Sequence, residues 1–189
     1  HTRRQRQMCI RDSFSVVVQK KPIQLLMAPS GVNKGQITPT QLVIVDEQQN
    51  VIDGEGRASA ETTLHIEIIK KLKCSAVLHT HSIYATVLSD YFENQAVIRL
   101  EGWEMLKGIK GISNHETSID IPIVANNQDI KELCRIVYTH LNSNIPGILV
   151  AGHGLYAWGD SLAEAQRHVE ILEFLFSAVW HKQLLPPVR

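Results

Sequence analysis

Short apolar runs alternate with amphipathic stretches along this chain, and that alternation sets out its elements. Ser15–Val18 and Ile23–Met27 are apolar runs around the turn signal Lys20-Lys21-Pro22, which predicts two strands. Pro29-Ser-Gly-Val-Asn-Lys-Gly35 interleaves Pro and Gly with small polar residues, the composition of a loop. Leu42–Val45 predicts a third strand. Behind Ser59, whose hydroxyl suits a helix N-cap, Leu64, Ile68 and Leu72 recur at helical spacing, with Glu61 in the first turn. Ala76–Leu78 predicts a strand, Ser82 to Tyr91 a helix, and Ala96–Leu100 and Ile121–Val124 two more strands. Asp129–Leu141 reads as an amphipathic helix with Leu133, Ile136, Val137 and Leu141 on one side. Ile148–Ala151 and Leu155–Trp158 predict a strand pair. A long helix follows from Ser161, opened by the capping box Ser161-x-x-Glu164 and carrying Ile171, Leu172, Leu175 and Val179. This interleaving is too irregular for simple βαβ winding. It predicts an α/β fold: a three-layer sandwich with a mixed, largely antiparallel central sheet and helices on both faces.

Two of the predicted strands end in histidine. Ala76-Val-Leu-His-Thr-His-Ser82 closes on His79-x-His81, and side chains at i and i+2 of a strand leave from the same face. Ile148-Leu-Val-Ala-Gly-His-Gly154 closes on His153 between two glycines, which permit a sharp turn or a close backbone approach. Three neutral imidazoles with an open coordination position are the arrangement of a catalytic zinc or a similar divalent ion, which polarises a carbonyl as a Lewis acid. Such chemistry needs a carboxylate to carry protons. Two candidates are Glu61 in Ala58-Ser-Ala-Glu-Thr-Thr-Leu-His65 and Glu104 in Glu101-Gly-Trp-Glu-Met-Leu-Lys-Gly108. Ser30 and Gly31, together with Ser59 at a helix start, are candidates to cradle an anion through backbone N–H groups. His65, His115, His140, His168 and His181 read as packing or surface residues.

Composition narrows the picture further. The 189 residues are 44% hydrophobic, enough for a core of one domain. Formal net charge is zero, which gives no electrostatic footprint for nucleic acid or an acidic membrane. No apolar run approaches the ~20 residues of a membrane span. Three cysteines without metal-site spacing fit a reducing compartment, and we expect a cytoplasmic protein. The first 13 residues carry four Arg and one Asp with no hydrophobic period, and they read like translated adapter sequence fused to a truncated gene. We therefore expect residues 1–13 to be a non-native or disordered tail, and 14–189 a single, N-terminally truncated catalytic domain.

At these motifs the sequence resembles the class II aldolase family, whose members share a P-S-G loop, an S-x-E segment, an H-T-H or H-N-H pair and a late H-G, in this order. The segments Ser59-Ala-Glu-Thr-Thr-Leu-His65, Val77-Leu-His-Thr-His-Ser82, Gly102-Trp-Glu-Met-Leu-Lys-Gly-Ile109 and His153-Gly-Leu-Tyr-Ala-Trp-Gly159 are most similar to the dehydratase branch of that family. The resemblance implies zinc held by His79, His81 and His153, with Glu104 as principal acid/base. It matches Glu61 to the aldolases' catalytic glutamate, and Ser30, Gly31 and Ser59, with Lys107 beside them, to phosphate-binding positions. It implies dehydration of a methylthio-substituted ketose 1-phosphate in methionine salvage, by a symmetric tetramer with sites near subunit interfaces. A sugar-phosphate aldolase or epimerase is the alternative enzyme reading, and a metal-stabilised interaction protein with lapsed catalysis the non-enzymatic one. The family's G-N-x-S loop is altered here, since Asp12-Ser13 precedes Phe14-Ser15.

Overall fold

The computed structural model describes residues 13–32 and 36–186. The expectation for residues 1–12, and that for loop residues 33–35, lie outside the described residues. Ser13, grouped above with the tail, is the first residue of a strand.

Nine strands form one sheet: β1 (Ser13–Lys20), β2 (Ile23–Met27), β3 (Val43–Asp46), β4 (Val51–Asp53), β5 (Ala76–Thr80), β6 (Val97–Glu101), β7 (Ser118–Val124), β8 (Gly147–Val150) and β9 (Gly154–Gly159). Their order is β4-β3-β2-β1-β5-β9-β8-β7-β6. Every described neighbouring pair is antiparallel except β7 with β8, which makes the sheet mixed and largely antiparallel as the pattern predicts. Three helices connect strands of the sheet, α1 (Thr62–Leu72) between β4 and β5, α2 (Ile83–Tyr91) between β5 and β6, and α3 (Ile130–His140) between β7 and β8, and a fourth, α4 (Leu162–Gln183), follows β9.

The two-residue period of the central strands sorts the core into two layers. Val77, Ile148, Val150, Tyr156 and Trp158 face one side with Leu64, Ile68, Leu133 and Val137 of α1 and α3. Leu149, Leu155 and Ala157 face the other with Leu88 of α2 and Val169, Leu172 and Phe176 of α4. Helices on both faces of a sheet make the three-layer sandwich. No helix among the described residues is long and apolar enough to cross a membrane.

Three local differences from the sequence reading have physical causes. The short β4 lacks an apolar run and forms because Asp46 accepts from the backbone amides of Gln48 and Asn50, folding the chain back on β3. Ser59 does not cap α1. Its carbonyl accepts from Thr62 N at 3.0 Å and its hydroxyl from Glu61 N at 3.4 Å, closing a turn that delays the helix to Thr62. At α4, Ser161 Oγ accepts from Glu164 N at 3.1 Å as expected, but the Glu164 carboxylate takes the amide of Asp160 in place of the capping residue's own.

Candidate active site

The site is built where β5 and β9 lie side by side. His79 pairs with Tyr156 in the ladder, and its neighbour Thr80 with Leu155. His81 follows one residue beyond the strand and still turns its ring onto that of His79, with Nε2 to Nε2 at 3.1 Å. His153 lies in the turn from β8 to β9, and its Nε2 is 2.9 Å from His81 Nε2. That turn depends on both flanking glycines. Gly152 has φ +61, and a Cβ on Gly154 would sit 2.1 Å from the Thr80 carbonyl oxygen. From the far side α2 secures the turn: Thr86 Oγ1 donates to His153 O at 3.2 Å, and Ser89 Oγ accepts from Gly152 N at 3.1 Å.

Glu61 closes the fourth side. The turn at Ser59 carries it to the mouth of α1 with its carboxylate toward the histidines, Oε1 being 3.4 Å from His79 Nε2 and 3.8 Å from His153 Nε2. One donor atom from each of Glu61, His79, His81 and His153 lies within 4.8 Å of the others. The sequence reading put Glu61 among the proton carriers. The structure brings it into the ligand cluster as well.

These residues fit a divalent ion. His79 Nδ1 meets the Leu155 carbonyl at 2.9 Å, so Nδ1–H donates there and Nε2 turns its lone pair to the cluster, the outer support typical of metal-bound histidine. His81 Nε2 stands 3.1 Å from His79 Nε2 and 2.9 Å from His153 Nε2, a convergence of ring nitrogens that a shared cation would satisfy. A tetrahedral ion with zinc-like bonds of about 2.0–2.1 Å would hold its ligand nitrogens about 3.3 Å apart, close to the spacing found. The His79 ring is fully buried and stacks on Tyr156, centroids 3.9 Å apart and planes 13° from parallel.

Electrostatics favour this state. Burial raises the proton affinity of Glu61, but the neighbouring His79, a hydrogen bond from Ser13 and the nearby His65 outweigh it and hold the carboxyl down to about 2. Burial and neighbouring His79 lower the pKa of His153, against the opposing pull of Glu61, which favours the neutral ligand form. Burial pushes the Tyr156 hydroxyl far up, so it stays a phenol.

The remaining predicted residues lie elsewhere. Glu104 opens a 3-10 turn spanning Glu104–Gly108, with 69% of its side chain exposed, and pairs with Lys107 and with His115 at 3.5 Å. The hydrogen bond from Lys107 holds its carboxyl below the usual range, so in this chain alone it is an ionised surface group. It is not part of the four-residue cluster. Ser30 is exposed, with its amide on Arg57 O at 2.8 Å, and Gly31 has φ +81 with open space where a side chain would stand. Ser13, Ser15 and Tyr156 were not singled out by sequence. For the two serines the alternation Ser13-x-Ser15 ahead of an apolar run was the signal, because polar residues on an inward face need a partner.

The profile of the family described as Class II Aldolase and Adducin N-terminal domain matches residues 11–180. The chain is 42% identical over 148 residues, 77% of its own length and 68% of the relative's, to "Methylthioribulose-1-phosphate dehydratase" of Xanthomonas campestris pv. campestris (strain 8004). It is 37% identical over 175 residues, 88% of its length and 79% of the relative's, to the protein of that name from Bradyrhizobium sp. (strain BTAi1 / ATCC BAA-1182). The fold is similar to the crystal structure of L-fuculose-1-phosphate aldolase from Thermus thermophilus, with TM-score 0.73 and 24% identity over 93% of this chain and 85% of that one.

Proposed function

Because the chain belongs to the family of class II aldolase and adducin N-terminal domains, we propose that it is a hydro-lyase that dehydrates 5-methylthioribulose 1-phosphate to 2,3-diketo-5-methylthiopentyl 1-phosphate in methionine salvage. The observation that carries this reading is the convergence of Glu61, His79, His81 and His153 in a chain 42% identical to a dehydratase of that name. We assign one zinc per chain to His79, His81 and His153, and a cytoplasmic location. A divalent ion there supplies Lewis-acid polarisation of substrate oxygens.

The chain's own groups move the protons. Dehydration takes a proton from C3 and breaks the C4–O bond, with a second proton delivered to the departing hydroxyl. The resulting enol tautomerises to the diketone. Glu61, ionised and beside the histidines, is assigned to accept a proton at Oε1. Glu104 is assigned to protonate the leaving hydroxyl from a neighbouring copy in a homotetramer. Exposed Ile83, Val87 and Tyr91 support such an assembly, since they line one face of α2 at four-residue spacing, starting two residues after His81. In that setting Glu104 loses solvent, which raises its proton affinity toward that of a working acid. Ser30, Gly31, Ser59 and Lys107 are assigned to the phosphate.

The placement of Glu61, rather than Glu104, at the cluster favours one second reading, a sugar-phosphate aldolase that breaks a C–C bond at the same centre. Product analysis separates the two. Zinc-loaded protein given 5-methylthioribulose 1-phosphate is expected to form a product lighter by one water, with no aldehyde fragment. Cleavage of fuculose or ribulose phosphates without any dehydration would replace the dehydratase with the aldolase.

A further inference from the structure

Behind Glu61 lies a chain of buried polar groups that the reaction as described does not use. His65 of α1 is fully buried, as is Ser15, and Ser13 is 2% exposed. Ser15 Oγ is 2.8 Å from His65 Nδ1, Ser13 Oγ is 3.0 Å from His65 Nε2, and Ser13 Oγ donates to Glu61 Oε2 at 2.8 Å. The carboxylate sets the direction of the whole series. An ionised carboxylate only accepts, so the single Ser13 hydroxyl proton goes to Glu61. Ser13 Oγ must then accept from His65 Nε2–H. With its proton on Nε2, the neutral ring accepts from Ser15 at Nδ1. Every donor thus points toward Glu61, and aligned bonds in a dry interior polarise and strengthen one another. The ring is also set in orientation by the edge of Tyr156, 5.9 Å between centroids at 77°. Tyr156 in turn stacks on His79.

We propose that His65 is a positioning residue: through Ser13 it fixes the Glu61 carboxylate by Oε2, leaving Oε1 directed at the three histidines. The contacts of Oε1 with His79 and His153, at 3.4 and 3.8 Å, are longer than the 2.8 Å bond that Ser13 makes to Oε2. Held from behind, Glu61 presents one oxygen to the centre without searching for that orientation in each turnover. This inference rests on the reading of the cluster as the reaction centre. The hydrogen-bond series itself does not.

The test has two arms. In the unmodified protein, nitrogen-15 NMR is expected to find the His65 ring as the Nε2–H tautomer, with a slowly exchanging ring proton that shifts when Glu61→Gln removes the charged acceptor. A proton on Nδ1, or a signal indifferent to Glu61→Gln, would overturn the proposal whatever the substrate proves to be. In the kinetic arm, His65→Leu is expected to lower kcat by about 10–100-fold with metal content unchanged. KM should stay nearly constant, because orientation of a proton carrier acts on the transition state more than on substrate binding. His65→Gln restores an N–H toward Ser13 and should recover most of the loss, whereas Ser13→Ala should match His65→Leu without adding to it. Equal loss in the Leu and Gln variants, or full activity in His65→Leu, would contradict the positioning role. A parent protein that leaves the substrate untouched would refute the proposed function, while the NMR arm would still decide the network.

Discussion

His79 and His81 are two residues apart and do different physical work. His79 is fully buried against Tyr156, so His79→Ala removes packing and the hydrogen bond to Leu155 O along with a ligand. It should cost about 1–3 kcal/mol of stability by urea unfolding. His81, partly exposed, is the cleaner probe. His81→Ala should lose bound metal, measured by atomic absorption, with the apo-protein melting temperature almost unchanged. The two glutamates separate in the same way. Glu61→Gln and Glu104→Gln should each lower turnover by about 10²–10⁴-fold, but only Glu61→Gln should also weaken metal binding, because only Glu61 lies in the cluster. The convergence of the three histidines was legible because two apolar runs each close on histidine, which puts those side chains at strand ends. The surroundings of Glu104 were not, since exposure and pairing with Lys107 depend on how a short 3-10 turn packs.

At the scale of elements, alternation and helical spacing located both cores, because each central strand feeds one layer with odd positions and the other with even. Those patterns are legible wherever burial imposes them. They fail at the ends, where a few hydrogen bonds decide. The turn at Ser59 displaces the start of α1, and this displacement carries Glu61 out of the first helical turn toward the histidines. β4 escaped notice for the same reason, being held by an Asp46 turn rather than by apolar periodicity. The junction of β8 with β9 gives a direct check. Gly154→Ala puts a methyl into the Thr80 carbonyl, so β5 and β9 must part. The expected loss is at least about 1–3 kcal/mol in thermal or urea unfolding, with weakened metal binding because His153 moves with the turn. Gly102→Ala has open space and should not disturb the metal, though its φ of +72 disfavours a side chain.

For the whole molecule, acid should act in two stages on the metal-free protein. The folded-state pKa of His153 lies below 6.5, so the unfolded chain takes up that proton first and stability falls as pH drops below about 6.5. The Glu61 carboxyl is held at about 2 in the fold against 4.5 ordinarily, so its stabilising contribution is present above pH 4.5 and is lost between pH 4.5 and 2. Denaturant midpoints measured against pH should show both declines, and Glu61→Gln should remove the second. Assembly has its own test. If Glu104 serves a neighbouring copy, mixing inactive Glu104→Gln with inactive His81→Ala protein should restore part of the activity, and mixtures that stay inactive would confine each site to one chain. The central claim, that the Glu61, His79, His81 and His153 cluster holds the metal that makes this protein a dehydratase, is tested most directly by adding zinc back to chelator-stripped protein and following loss of water from 5-methylthioribulose 1-phosphate. Turnover should be absent without metal and should rise linearly to a plateau at one equivalent per chain. Dehydration at full rate in the stripped protein, or none at any zinc concentration, would contradict the account.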